Sequence, residues 1–106
     1  MAGNLRALAL GTALTPASKE RLTAWLVGNK TGDARLRAGL PKGWRVGDKT
    51  GSSKNGTAND MAVVWPEAGP PFIVSAYLTG TTASDDQRNA ALAAVARTVV
   101  AALGLA

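Results

Sequence analysis

Neither cysteine nor histidine occurs among the 106 residues. Without cysteine the chain has no disulfide, no thiol nucleophile and no thiolate-held zinc. Without histidine it has no Ser-His-Asp triad and no imidazole-ligated metal. Any catalysis must then rest on lysine, carboxylates, hydroxyls and backbone amides, and neither cofactor nor metal is expected. Aromatic residues are scarce as well, with three Trp, one Tyr and one Phe, and they are not interleaved with basic residues as a nucleic-acid groove requires. Twelve Lys and Arg against seven acidic residues give a formal charge of +5, but the basic residues are scattered from Arg6 to Arg97 as on a solvated surface, so no nucleic-acid partner is expected. No apolar run approaches the roughly 20 residues that span a bilayer. The opening "MAGNLRAL" lacks the basic and continuous apolar regions of a signal peptide, and no membrane partner is expected.

A 46% hydrophobic content with 18% charged residues is that of a globular chain able to bury a modest core. "NLRALALG" reads as a short amphipathic helical run presenting Leu5, Leu8 and Leu10 and stopping at Gly11. In "LTPASKERLTAWLVGN", Thr15 is the N-cap, Pro16 takes the first helical position, Leu22, Trp25 and Leu26 share a face, and Gly28 ends the element. A strand is expected from near Trp44 through "GWRVGDKTGSS", with Asn55-Gly56 as the following turn. "MAVVWP" is apolar enough for burial on both faces, and "FIVSAYLT" makes a third strand after the turn "EAGPP". In the tail, Ser84 and Gln87 form a capping box and Asp85 and Asp86 suit the helix N-terminus. Leu92, Val95, Val99, Val100 and Leu103 are assigned one face before Gly104. The expected architecture is α+β: a three-stranded antiparallel sheet with flanking helices, the long last helix packed across it.

The tripeptide Lys-Thr-Gly occurs twice. The first, residues 30–32 in "GNKTGD", is surrounded by turn formers, and a solvated loop accounts for it. The second, Lys49-Thr50-Gly51, lies on the first strand. If that strand borders a cleft, Lys49 offers a fixed positive charge and Thr50 and Ser52 offer hydroxyls for a carboxylate. Gly51 leaves a gap where an extended ligand can approach the backbone. The Ser52 amide would then be a donor suited to an oxyanion in acyl transfer. The alternative is a surface lysine beside a bulge, and the residues alone leave both open.

The run "TGDARLRAGLPKGWRVGDKTGSSKNGTANDMAVVWP" resembles the C-terminal part of class A serine β-lactamases, relatives of the penicillin-binding proteins. The similarity extends through "LRALALGTALTPASKERLTAWLVGN" and "QRNAALAAVARTVV", so it covers essentially the whole chain. It implies the C-terminal part of the β-lactamase/transpeptidase-like fold. By the same resemblance Lys49, Thr50 and Gly51 match the family's KTG motif, in which lysine and hydroxyl recognise the substrate carboxylate. Ser52 matches the position whose amide completes the oxyanion hole. Many members carry a supporting arginine just beyond the KTG strand; here that place is Ala58. Arg35 matches the place from which other members supply the guanidinium, whereas Arg37 reads as an ordinary surface or packing arginine. Asn89 matches a peripheral site position, and Trp44 and Asp48 flank the strand in packing and hydrogen-bonding roles.

Other parts of the family's pattern have no counterpart. No serine (18, 52, 53, 75, 84) has lysine three residues on, so the Ser-x-x-Lys nucleophile motif is missing. Ser84-Asp85-Asp86 is a helix cap and not the Ser-Asp-Asn motif. Glu20 and Glu67 fall on a helix surface and in a turn, neither matching the acid that activates the deacylating water. The resemblance therefore implies that residues 1–106 form a C-terminal segment and not a complete domain, inactive alone, with a complementary N-terminal β-lactamase segment as a second polypeptide. "FIVSAYLT" would then be an open edge, the substrate a β-lactam antibiotic, and the location periplasmic or secreted. Two alternatives are a penicillin-binding-protein-like binder of peptides or β-lactams without fast turnover, and a self-standing non-catalytic module.

Overall fold

The computed structural model describes residues 1–105. A short helix α1 (Ala2–Leu5) continues into a π-helical turn, Arg6–Leu10. Helix α2 spans Pro16–Val27, and a 3₁₀ turn covers Leu36–Gly39. Strands β1 (Arg45–Ser53), β2 (Thr57–Trp65) and β3 (Phe72–Leu78) follow, then helix α3, Asp85–Ala102. The caps form as the sequence dictates. Thr15 Oγ1 accepts the Ser18 N–H at 3.2 Å, and Ser84 and Gln87 exchange both bonds of a capping box, at 2.9 and 3.2 Å. Each such cap is worth about 1 kcal/mol.

The three strands form an antiparallel meander in the order β1-β2-β3. Gly56, with φ +70°, makes the β1–β2 turn in the left-handed region that glycine adopts without strain. Lys49 is registered opposite Met61, Thr50 opposite Asp60 and Gly51 opposite Asn59. Alternation along β2 sends Ala62 and Val64 to one face of the sheet and Met61 and Val63 to the other. Both faces are covered. On one, Leu36, Leu40, Val46, Ala62 and Val64 meet Ala96 and Val100 of α3, with Trp44 edge-on to Phe72 at 6.4 Å between ring centroids. On the other, Val63 meets Leu5 and Ala9 of the N-terminal helical segment and Leu26 of α2. This explains why "MAVVW" is apolar without alternation.

Three expected helix faces differ from those observed. In α3 the buried stripe is Leu92, Ala93, Ala96 and Val100, while Val95 and Leu103 are exposed, the latter at 54%. The alanines win because α3 lies close to the 3₁₀ turn, with Gly39 packed directly on Ala93 and Ala96. In the first segment Leu5 and Ala9 are buried and Leu8 is turned outward; in α2 Leu26 and Thr23 are buried and Trp25 is 68% exposed. Large apolar side chains are thus left uncovered on both helical layers. None of the described helices is long and apolar enough to cross a membrane.

Candidate active site

The outer edge of β1 carries Lys49, Thr50, Gly51 and Ser52, since β2 occupies its other side. Lys49 is exposed, its Nζ donating to the Thr50 carbonyl at 2.7 Å. Arg35 enters from the loop that precedes the 3₁₀ turn and binds groups from three other elements. Its Nε donates to Asn89 Oδ1 at 2.9 Å and its Nη1 to the carbonyls of Gly51 and Asn59 at 3.1 and 2.8 Å. Its Nη2 donates to Ser52 Oγ at 2.8 Å. One planar guanidinium thereby joins β1, β2 and the start of α3, a task suited to its fixed fork of donors. Asn59 is held in turn, its Oδ1 accepting the Leu78 N–H of β3 at 3.3 Å. Lys49, Thr50, Gly51, Ser52, Arg35 and Asn89 therefore lie in one region. It is a row of hydroxyls between two positive charges, which suits an extended anionic ligand.

Beneath the row lie two fully buried carboxylates. Asp48 Oδ1 accepts from Arg37 Nη2 at 2.8 Å and from Asn29 Nδ2 at 3.3 Å, while Asp60 Oδ2 accepts the Leu36 N–H at 3.1 Å. The remaining oxygens, Asp48 Oδ2 and Asp60 Oδ1, are buried without a donor to pair with, and the two carboxyls are neighbours. Two neighbouring buried carboxyls disfavour being ionised together. Burial, then the Asp48 carboxylate, push Asp60 up to about 8, against the Leu36 N–H and the Arg35 charge, which pull it down. At neutral pH Asp60 is therefore mainly the neutral acid and donor. Arg37 is the packing arginine expected from the sequence, its other neighbour being Asp33 at 3.6 Å.

The first Lys-Thr-Gly is not the plain solvated loop expected. Gly32 is buried, and a Cβ there would sit 1.6 Å from Asp48 Oδ2, so only glycine permits the approach. Thr31 Oγ1 lies 2.7 Å from Thr50 Oγ1, so the two tripeptides touch. Turn composition accounts for the local backbone but carries no information on what the loop packs against. Asn29, Thr31, Asn59 and Asp60 were missed in the sequence reading. For the last two the signal was available: polar residues at the head of an otherwise apolar strand need partners.

An apolar cavity of about 320 Å³ opens beside Lys49, lined by Leu5, Leu8, Leu22, Trp25 and Met61 among others. A smaller one of about 140 Å³ lies between Lys49, Asn59, Met61 and Tyr77. No group of carboxylates able to hold a metal is found among the described residues.

Fold and site together match one class of protein. The beta-lactamase enzyme family model matches residues 1–103, and the chain belongs to that family, within its class A group. It is 48% identical over 99 residues to the beta-lactamases CTX-M-6 of Salmonella typhimurium and Toho-1 of Escherichia coli, covering 93% of this chain and 34% of each relative. It is 47% identical over 103 residues to beta-lactamase FAR-1 of Nocardia farcinica, covering 97% of this chain and 33% of that protein. Among solved structures, an ancestral (GNCA) class A beta-lactamase superposes with TM-score 0.93 at 57% identity, covering 96% of this chain and 39% of that one. The last common ancestor of Gram-negative bacteria (GNCA4) class A beta-lactamase superposes with TM-score 0.94 at 56% identity, covering 97% and 39%. The chain thus spans about a third of the length of the curated relatives it matches.

Proposed function

We propose that this chain forms one wall of a serine β-lactamase site and takes part in hydrolysis of the β-lactam ring when joined by a complementary N-terminal segment. The observation that carries the reading is the fork of Arg35, which donates to Gly51 and Ser52 of the KTG strand and, through its Nε, to Asn89, 54 residues further along the chain. In this reading Lys49, Thr50, Ser52 and Arg35 hold the carboxylate of the antibiotic. The Ser52 N–H is one donor to the oxyanion that forms when a serine hydroxyl of the complementary segment adds to the lactam carbonyl. The C–N bond of the ring then breaks, its nitrogen takes a proton, and water releases the acyl group.

Three features support a missing second part. Strand β3 has β2 on one side only, with Tyr77 63% exposed on it. The cavity beside Lys49 is apolar and open to Leu8 and Trp25. The α3 stripe of Val95, Val99 and Leu103 faces outward at least in part. Exposed apolar surface of this kind marks protein contacts. A periplasmic or secreted location belongs to the same proposal.

Intact mass spectrometry after brief exposure of the mixed segments to a slowly hydrolysed β-lactam tests the division of labour. The acyl adduct is expected on the complementary segment alone. An adduct on this chain would contradict the reading.

A further inference from the structure

We propose that Thr31, in the first Lys-Thr-Gly, is a positioning residue that sets the direction in which the Thr50 hydroxyl donates its proton and so tunes carboxylate affinity. The inference rests on the carboxylate-binding reading of Lys49, Thr50, Ser52 and Arg35 above. It follows from counting protons along one relay.

Asn29 fixes the polarity. Its Oδ1 accepts the backbone N–H of Thr31 at 3.4 Å, and its Nδ2 donates to Asp48 Oδ1 at 3.3 Å. A backbone N–H can only donate. Asp48 Oδ1, already taking Arg37 Nη2 at 2.8 Å, acts only as an acceptor. Both contacts demand the same orientation of the amide, so Asn29 Oδ1 faces Thr31. That oxygen lies 3.0 Å from Thr31 Oγ1 and has only lone pairs to offer, so Thr31 gives it its single hydroxyl proton. The 2.7 Å contact between Thr31 Oγ1 and Thr50 Oγ1 then has one consistent polarity, with Thr50 donating.

The proton of Thr50 is therefore spent on Thr31 while no ligand is bound. A carboxylate accepts hydrogen bonds and gives none, so Thr50 must swing its O–H off Thr31 before it can serve one. What binding forfeits is one neutral hydrogen bond, after which Thr31 still donates to Asn29. The relay is anchored on buried Asp48, so the first tripeptide acts through the second without touching the ligand.

Two substitutions at this exposed residue separate the relay from packing. Thr31→Val keeps the shape and removes the acceptor, whereas Thr31→Ser keeps the acceptor. Both are placed in the chain joined to its complementary segment. Binding of a hydrolysed penicillin, followed through the amide chemical shifts of residues 49–52, and the KM for a penicillin are then measured. Thr31→Val is expected to lower both constants by about two- to tenfold, the worth of one neutral hydrogen bond. Turnover number should change less than about twofold, because ground and transition states gain alike. Thr31→Ser should match the parent. Equal or weaker binding in Thr31→Val overturns the proposal while leaving the carboxylate reading intact. Failure of the parent itself to bind the hydrolysed penicillin overturns both.

Discussion

Arg35 shows how one side chain can make a site out of distant sequence. Its donors reach Asn89, Gly51, Asn59 and Ser52, and a lysine, with a single rotatable ammonium, cannot reproduce that fork. In the reassembled enzyme Arg35→Lys is expected to raise KM for carboxylate-bearing substrates about tenfold, the loss of roughly one charge-assisted hydrogen bond. Steady-state kinetics check this; an unchanged KM would remove Arg35 from the carboxylate site. Asp60 supports a second prediction, about pH. Its folded value of about 8 lies above the roughly 4 of an unfolded aspartate. The folded state thus keeps a proton that the unfolded chain has already lost across that interval. The Asp60 contribution to stability is full below about pH 4 and is lost as pH rises through about 8. Asp60→Asn can still donate to Asp48 and accept from Leu36, so thermal unfolding between pH 5 and 8 should depend less on pH in the variant. An equally steep dependence would mean that the Asp48–Asp60 proton is not the cause. At this scale the sequence was partly legible. Lys49, Arg35 and Asn89 could be picked out through their resemblance to a known pattern. Thr31 could not, because its importance lies in a contact with Thr50 that no local spacing encodes, whereas Asp60 signalled a buried polar partner but not which one.

Among the elements, existence and type were easier to read than orientation. The caps at Thr15 and Ser84 are specified locally, by side chains that bond three residues away, and the turn at Gly56 by a positive φ that glycine adopts without strain. Helix faces are specified by what packs on them. In α3 the larger side chains Val95 and Leu103 suggested a face that the molecule leaves exposed, and the small residues Ala93 and Ala96 form the close contact with Gly39. Trp25, 68% exposed, misled in the same way, because hydrophobicity alone does not say which helix face meets the core. Ala96→Leu is accordingly expected to cost about 1–3 kcal/mol through overpacking, with Leu103→Ser costing less than about 1 kcal/mol in this chain. Denaturant midpoints of the two variants measure the order. The reverse order would mean that the outer stripe, and not the alanine stripe, holds α3 in place.

For the whole molecule, the sheet is covered on both faces but not at the outer edge of β3, and the apolar hollow beside Lys49 is uncovered. The sequence carries the KTG wall and lacks a Ser-x-x-Lys nucleophile. Under the proposed function, a single complementary segment would bring both the covering surface and the serine. The direct test is turnover of a chromogenic cephalosporin by the purified chain alone and after mixing with the complementary N-terminal segment, each sample checked by intact mass. Activity only on mixing, abolished by Lys49→Ala in the mixture, is the predicted result. Turnover by the chain alone, with no second polypeptide in the mass spectrum, would contradict the account, because the nucleophile would then lie within these 106 residues.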